Sequence, residues 1–350
     1  MRIMITGNAG YIGPVLTRTL RRERPDARLV GFDTGYFAHC LTGAARLPEG
    51  RVDVQLQGDL RDLAPEALEG VDAVVHLAAI SNDPMGKSFE TVTHDINTVA
   101  SRELAEKAKR AGVASFVFAS SCSMYGFAEG GPRTEEDALN PLTAYARSKV
   151  ATEERLRELA GDGFTVTALR FATACGMSER LRLDLVLNDF VAGALASGRI
   201  DILSDGTPWR PLIAVDDMAL AMSWALGRDP GTGGDFLAVN TGSNGWNYQV
   251  RELADAVAGV IPGTEIRVNP EAAPDRRSYR VSFDRFAELA PDHVPRVGLV
   301  EAVEGLRDGL LAMGFADAGY RDSHLVRLRA LDAHRARGAL DERLRWSAGA

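Results

Sequence analysis

Ile3-Met4-Ile5-Thr6-Gly7-Asn8-Ala9-Gly10-Tyr11-Ile12-Gly13 is the stretch that decides the fold. A short β-rich run enters a loop with glycines at 7, 10 and 13, and an apolar helical pattern then runs to Glu23. Glycine allows the tight turn, lets the backbone approach a pyrophosphate, and lets helix and strand pack closely. The start of the helix offers free N–H groups and partial positive charge to phosphates. A second run, Arg28–Asp33, ends on an acidic residue twenty positions after Gly13. A carboxylate there accepts hydrogen bonds from a ribose and repels a 2′-phosphate, so the spacing predicts a site for NAD rather than NADP. In Gly58-Asp59-Leu60, Asp59 falls where adenine is expected; capping of the following turn is its other reading.

Working outward, short apolar runs alternate with amphipathic ones, the signature of βαβ units around a parallel sheet. Strands are expected at 2–6, 28–33, 52–57, 73–77, 115–120 and 165–171, and helices at 11–23, 64–68, 97–111 and 144–160. The alternation then breaks. Residues 177–198 read as a loop entering a helix, 227–234 as a loop, 251–260 as a helix, and the charged segment 322–346 as a solvated terminal helix. The expected fold class is α/β: a Rossmann-type doubly wound parallel sheet with a smaller α/β substrate lobe. Residues 1–172 and 208–244 would form the first, 173–207 and 245–320 the second, with 321–350 as a helical tail.

The 350 residues suffice for such a pair of lobes, and 45% hydrophobic with 25% charged residues is an ordinary globular balance. A net charge of −8 argues against nucleic acid as the main partner. Cys40, Cys122 and Cys175 form no CxxC pair or metal-ligand spacing, which points to reduced thiols and no metal. No apolar run approaches a bilayer span, and the chain enters its glycine loop without a leader-like segment, so a cytoplasmic protein is expected.

Tyr145 and Lys149, four apart in a helical segment, share one helix face. A neighbouring ammonium favours the phenolate, and such a tyrosine can take a proton from a sugar hydroxyl while hydride leaves the same carbon. Upstream stands Phe118-Ala119-Ser120-Ser121-Cys122-Ser123-Met124-Tyr125-Gly126. With the glycine loop, Asp59-Leu60, His76-Leu77-Ala78-Ala79 and Asn97, these motifs resemble the extended short-chain dehydrogenases/reductases of the nucleotide-sugar epimerase/dehydratase family, over about residues 1–315. The resemblance implies cofactor contacts from Gly7, Gly10, Tyr11, Ile12, Gly13, Asp33, Asp59, Leu60, Leu77, Ala78, Ala79, Asn97, Tyr145, Lys149 and Phe171. It implies catalysis by Ser121, Tyr145 and Lys149, and substrate contacts from Ser121, Thr173, Asn188, Arg210 and Arg276. Asn97 would interrupt a helix near the site. A homodimer through segments 97–111 and 144–160 is implied as well.

Two departures narrow the reaction. Related 4,6-dehydratases carry Asp-Glu after the catalytic hydroxyl, where this chain has Cys122-Ser123. Ser123 also stands where 3,5-epimerising relatives carry cysteine. Thr173 replaces the asparagine of many 4-epimerases, and Arg210-Pro211 and Ala214-Val215 depart from the common Arg-Asp and His-Val. Residues 177–185 resemble a subgroup acting on hexose- or heptose-nucleotides, including C4 dehydrogenases. The expected function is NAD-dependent 4-epimerisation of a nucleotide-sugar. A one-way C4 dehydrogenase or 4-ketoreductase is the alternative, and a non-catalytic NAD-binding scaffold the remote one.

Overall fold

The computed structural model describes residues 1–128, 130–269, 272 and 278–347. Seven strands form the main sheet: β1 (Arg2–Thr6), β2 (Arg28–Asp33), β3 (Val54–Gln57), β4 (Ala73–His76), β5 (Ser115–Ser121), β6 (Thr165–Phe171) and, later in the chain, β10 (Phe236–Thr241). Their order is β10-β6-β5-β4-β1-β2-β3, with every pairing parallel. The order reverses between β1 and β4, and that switch point leaves a crevice beyond the strand C-termini. Along β1, Ile3 and Ile5 enter one core cluster with Val15, Leu16 and Leu20, while Met4 enters another with Val74, Leu104 and Phe116. Both sheet faces are thus buried, which is why these strands read as continuous apolar runs.

Among the described residues eleven α-helices carry the connections: α1 (Gly13–Glu23), α2 (Asp83–Ser88), α3 (Glu90–His94), α4 (Ser101–Arg110), α5 (Ala144–Leu159), α6 (Val186–Ser197), α7 (Val215–Leu226), α8 (Val250–Val260), α9 (Asp284–Leu289), α10 (Leu299–Ala312) and α11 (Arg327–Ala336). A three-stranded sheet joins β11 (Asn247–Gln249), β9 (Trp209–Ala214) and β7 (Thr173–Cys175), and β8 (Arg199–Ile202) pairs with β12 (Glu265–Val268). None of the described helices is long and apolar enough to cross a membrane.

The expected elements depart most from these in four places. β3 begins at Val54 because a 3₁₀ turn over Pro48–Arg51 closes through Val52 N–H to the Glu49 carbonyl. Residues 65–68 make one 3₁₀ turn opened by Pro65, too short for an α-helix. The helix expected from Asn97 is preceded by a π-helical turn, Asp95–Ala100. Its widened carbonyls are met by hydroxyls: Thr152 donates to Asn97 O at 2.8 Å and Ser101 to Ile96 O at 3.1 Å.

The fourth difference corrects the tail. Segment 322–346 is α-helical only over α11, and one face of it is packed rather than solvated: Arg327, Ala330, Leu331 and His334 are buried. Leu331, Leu340 and Leu344 join a cluster with Tyr36, Ile80, Met85, Phe89 and Ile96. The charge pattern misled because its arginines donate to backbone carbonyls and carboxylates of the main body, Arg327 to Arg180 O at 2.7 Å among them.

A Cβ at Gly13 would lie 2.0 Å from the Asn8 carbonyl oxygen, so the helix start and the loop meet backbone to backbone. Gly13→Ala should therefore cost about 1–3 kcal/mol of stability through overpacking. A chemical-denaturation midpoint equal to that of the wild type would contradict this close approach.

Candidate active site

The carboxyl ends of β1, β4, β5 and β6 deliver their loops to one cavity. Gly7, Gly10, Tyr11, Ile12, Asp33, Asp59, Leu60, Leu77, Ala78, Ala79, Tyr145, Lys149 and Phe171 line it, together with Ser121 and Thr173. Gly7 has φ +75°, and a Cβ there would meet the Ala78 backbone nitrogen at 2.6 Å, so this corner admits no side chain. No side chain caps the start of α1, and its N-cap residue Ile12 lines the cavity. The Asp33 carboxylate accepts from Ala9 N–H at 3.0 Å and Gly35 N–H at 2.7 Å, an arrangement that ties β2 to the glycine loop. Burial pushes this carboxyl up, against the pull of those two bonds. Burial would likewise raise Asp59, but Arg61, which grips both its oxygens, outweighs that and holds the carboxyl below its usual range.

A second cavity, of about 1130 Å³, opens beside the first. Asp83, Ser123, Thr173, Leu185 and Tyr279 line both, so the two form one cleft. The catalytic candidates stand near this joint. Ser121 ends β5 and hydrogen-bonds the Tyr145 phenol, which projects from the first turn of α5. Lys149, one turn on, donates to Ala119 O at 2.6 Å and lies 5.5 Å from the Tyr145 ring centre. Burial pushes the phenol up to about 12, while Ser121 and Arg182 pull it down. Burial also lowers the Lys149 ammonium to about 7, opposed by Glu153.

Glu153 continues the same helix face. Its carboxylate is buried, accepts from Ser120 Oγ at 2.5 Å, and pairs with Arg170 at 2.8 Å. Sequence reading passed over it because a helix-borne glutamate looks like any solvated one. Also unforeseen were the buried pair Arg182–Asp184 at 2.9 Å and Ser123 Oγ, which has no partner among the described residues. Asn82 Nδ2 donates to Asp184 and Arg182 to Ser81, so a polar wall stands beside Tyr145. The only signal for it was the arginine–x–aspartate spacing inside run 177–185.

Three expected contacts lie elsewhere. Gly13 packs against Asn8, as above. Asn97 spends its amide on the Ile80 backbone, accepting at 2.8 Å and donating at 2.9 Å, and so holds the loop after β4 rather than facing the cavity. Asn188 is fully buried: its oxygen accepts from Gly176 N–H at 3.0 Å and its nitrogen donates to Arg182 O at 2.9 Å. It shapes the wall from behind. Arg210 lines the larger cavity, and Arg276 lies outside the described residues.

Comparison with known proteins agrees with this geometry. Residues 3–240 match the sequence model of the family described as NAD dependent epimerase/dehydratase. The chain belongs to that family. It is 31% identical to the UDP-glucose 4-epimerase of Neisseria gonorrhoeae, over 79% of this chain and 87% of the relative. It is 29% identical to the dTDP-glucose 4,6-dehydratase of Streptomyces griseus, over 89% and 92%. The structure of MoeE5 in complex with UDP-glucose and NAD superposes with a TM-score of 0.75 at 26% identity, covering 89% of this chain and 99% of the other.

NAD is the cofactor of this epimerase/dehydratase family, and the residues present fit it: a glycine corner without room for a Cβ, an uncapped helix start, and a fixed carboxylate at the end of β2.

Because Lys149 holds its proton less tightly folded than unfolded, the unfolded chain binds more protons between about pH 7 and the ordinary lysine range. Stability of the cofactor-free protein should rise with pH across that window, and Lys149→Met should remove this part of the rise. Urea midpoints of both proteins at about pH 7 and about pH 9.5 test it; parallel changes in the two would refute the buried ammonium.

Proposed function

We propose that this protein is an NAD-dependent nucleotide-sugar 4-epimerase acting through transient oxidation at C4 of a nucleoside-diphosphate hexose or heptose. The observation that carries the reading is that Ser121 and Tyr145 line the dinucleotide-shaped cavity, which shares Asp83, Ser123 and Thr173 with a second cavity roomy enough for a nucleotide-sugar. NAD, when bound, accepts hydride from the carbinol carbon and returns it. Tyr145 takes the C4 hydroxyl proton and later gives it back, while Ser121 hydrogen-bonds the same oxygen. Lys149 adds positive charge that favours the phenolate. The 4-keto sugar must turn over between the two transfers, and the larger cavity supports that by its size. Arg210 on its wall suits a substrate diphosphate.

Elimination of water is disfavoured by the residues after Ser121. Dehydration needs a further acid and base, but Cys122 is fully buried and donates to Arg170 O at 2.9 Å, and Ser123 carries no ionisable group near neutrality. Burial also pushes the Cys122 thiol far up, leaving it unsuited to proton transfer.

Tyr145→Phe should lower turnover by a factor of about 10²–10⁴, the usual worth of a positioned acid–base group, with NAD binding retained. NADH absorbance with product stereochemistry, on nucleotide-hexoses and nucleotide-heptoses, separates the C4 reactions. An epimerase regenerates NAD and accumulates no NADH. Stoichiometric NADH without an inverted product would replace the reading by a one-way dehydrogenase, and consumption of NADH with a 4-keto substrate by a ketoreductase. Undiminished turnover in Tyr145→Phe would discard the shared mechanism.

Assembly belongs to the same proposal: segments 97–111 and 144–160 pack side by side and would pair with their copies. A mass in solution of twice the chain at micromolar concentration is expected, and a monomer alone would remove the dimer.

A further inference from the structure

Three arginines gather where the C-terminal segment meets the cofactor cavity: Arg180, Arg182 and Arg327, each nearly or fully buried. Two are neutralised. Arg180 pairs with Glu49 at 2.6 Å, and Arg182 with Asp184 at 2.9 Å. Arg327, 1% exposed, has no carboxylate partner among the described residues. One of its terminal nitrogens donates to Arg180 O, its guanidinium lies 4.8 Å from the Phe37 ring centre, and Nη1 has no hydrogen-bond partner among the described residues.

A buried guanidinium with an idle nitrogen and no carboxylate paired in contact is costly, although Asp184 of the neighbouring pair offsets part of the charge from a distance. Burial lowers its proton affinity to about 10, with Arg182 and Arg180 pushing the same way and Cys40 and Asp184 opposing, and the value is still high enough to keep the charge near neutrality. The side chain forms part of the wall of the cavity that the glycine loop and Asp33 also line. The anion that such a cavity admits is the diphosphate of a dinucleotide. We infer that Arg327 binds the cofactor diphosphate, which makes the C-terminal segment part of the NAD site. The inference rests on NAD occupying the glycine-loop cavity, and it goes beyond the family match, which ends at residue 240.

The segment is built to hold Arg327 there. His334 Nε2 bonds Tyr36 O at 2.9 Å, Trp346 Nε1 donates to Thr34 O at 2.7 Å, and Tyr36 Oη donates to Leu344 O. Arg61, the residue that fixes Asp59, donates to Arg343 O at 2.8 Å. The residues expected at the adenosine end are therefore clamped by the same strap that delivers the guanidinium. Arginine's planar fork suits two phosphates better than a lysine would.

The test is calorimetric titration of NAD, ADP and adenosine into cofactor-free wild type and Arg327→Met, with Arg327→Lys as the charge-conserving variant. Loss of a charge-assisted bond should weaken NAD and ADP by about tenfold to a hundredfold, leave adenosine within about twofold, and be partly restored by lysine. Equal weakening of adenosine, or none of NAD, would overturn the inference. Should the methionine variant not fold, amide exchange of the wild type decides. ADP must protect residues 327–336 more than adenosine does, and equal protection refutes the assignment. A wild type that binds neither NAD nor ADP would instead remove the cofactor site on which the inference rests.

Discussion

The site depends on one buried ion pair. Glu153 of α5 meets Arg170 of β6 and accepts the hydroxyl of Ser120 on β5, so one carboxylate joins a helix to two adjacent strands. Two turns earlier on the same helix face stands Tyr145, with Lys149 between them. The register of that helix against the sheet therefore sets the distance from the phenol to Ser121. Taking both charges out of water is expensive, and removing one partner alone would cost about 3–5 kcal/mol. Arg170 also reaches Tyr125 Oη at 3.2 Å, and Tyr125 in turn donates to Asn240 at 2.7 Å, which ties β10 to the same network. A buried polar cluster of this kind specifies one packing, because any slip leaves charges unmatched.

The nucleotide half was legible because its signals are local. Strand, glycine turn, helix and acidic strand end follow one another within thirty-odd residues, and β1, β2 and β6 begin and end where the pattern places them. Tyr145 and Lys149 were legible for the same reason, since helix periodicity alone puts them side by side. What escaped depends on partners far along the chain. Glu153 is identified by Arg170 and Ser120, Asn188 by the backbone of Gly176 and Arg182, and nothing next to either residue announces those bonds. The strands β7, β8, β11 and β12 span only three or four residues each, so their periodicity is too brief to register.

Charge composition was the poorest guide. Arg327 of the tail, read as solvated, turns inward onto the Arg180 carbonyl, and both it and Arg180 are among the largest fully buried side chains. Arginine permits this through its several donors in a fixed fork, each able to meet a separate carbonyl. A count of charged residues cannot distinguish such a side chain from a hydrated one.

The contact between Tyr36 and Leu344 spans 308 positions. During synthesis the glycine loop and the first strands emerge well before the strap, which at about 5–20 residues per second follows roughly 15–60 seconds later. Until then the nucleotide crevice has one wall missing, and Tyr36, Met85 and Phe89 lack their later neighbours. The order of synthesis leaves an interval in which a nucleotide could enter a half-built pocket from the side that is afterwards closed. Sealing by so distant a segment also raises the contact order of the fold, which slows its final step relative to the formation of the sheet.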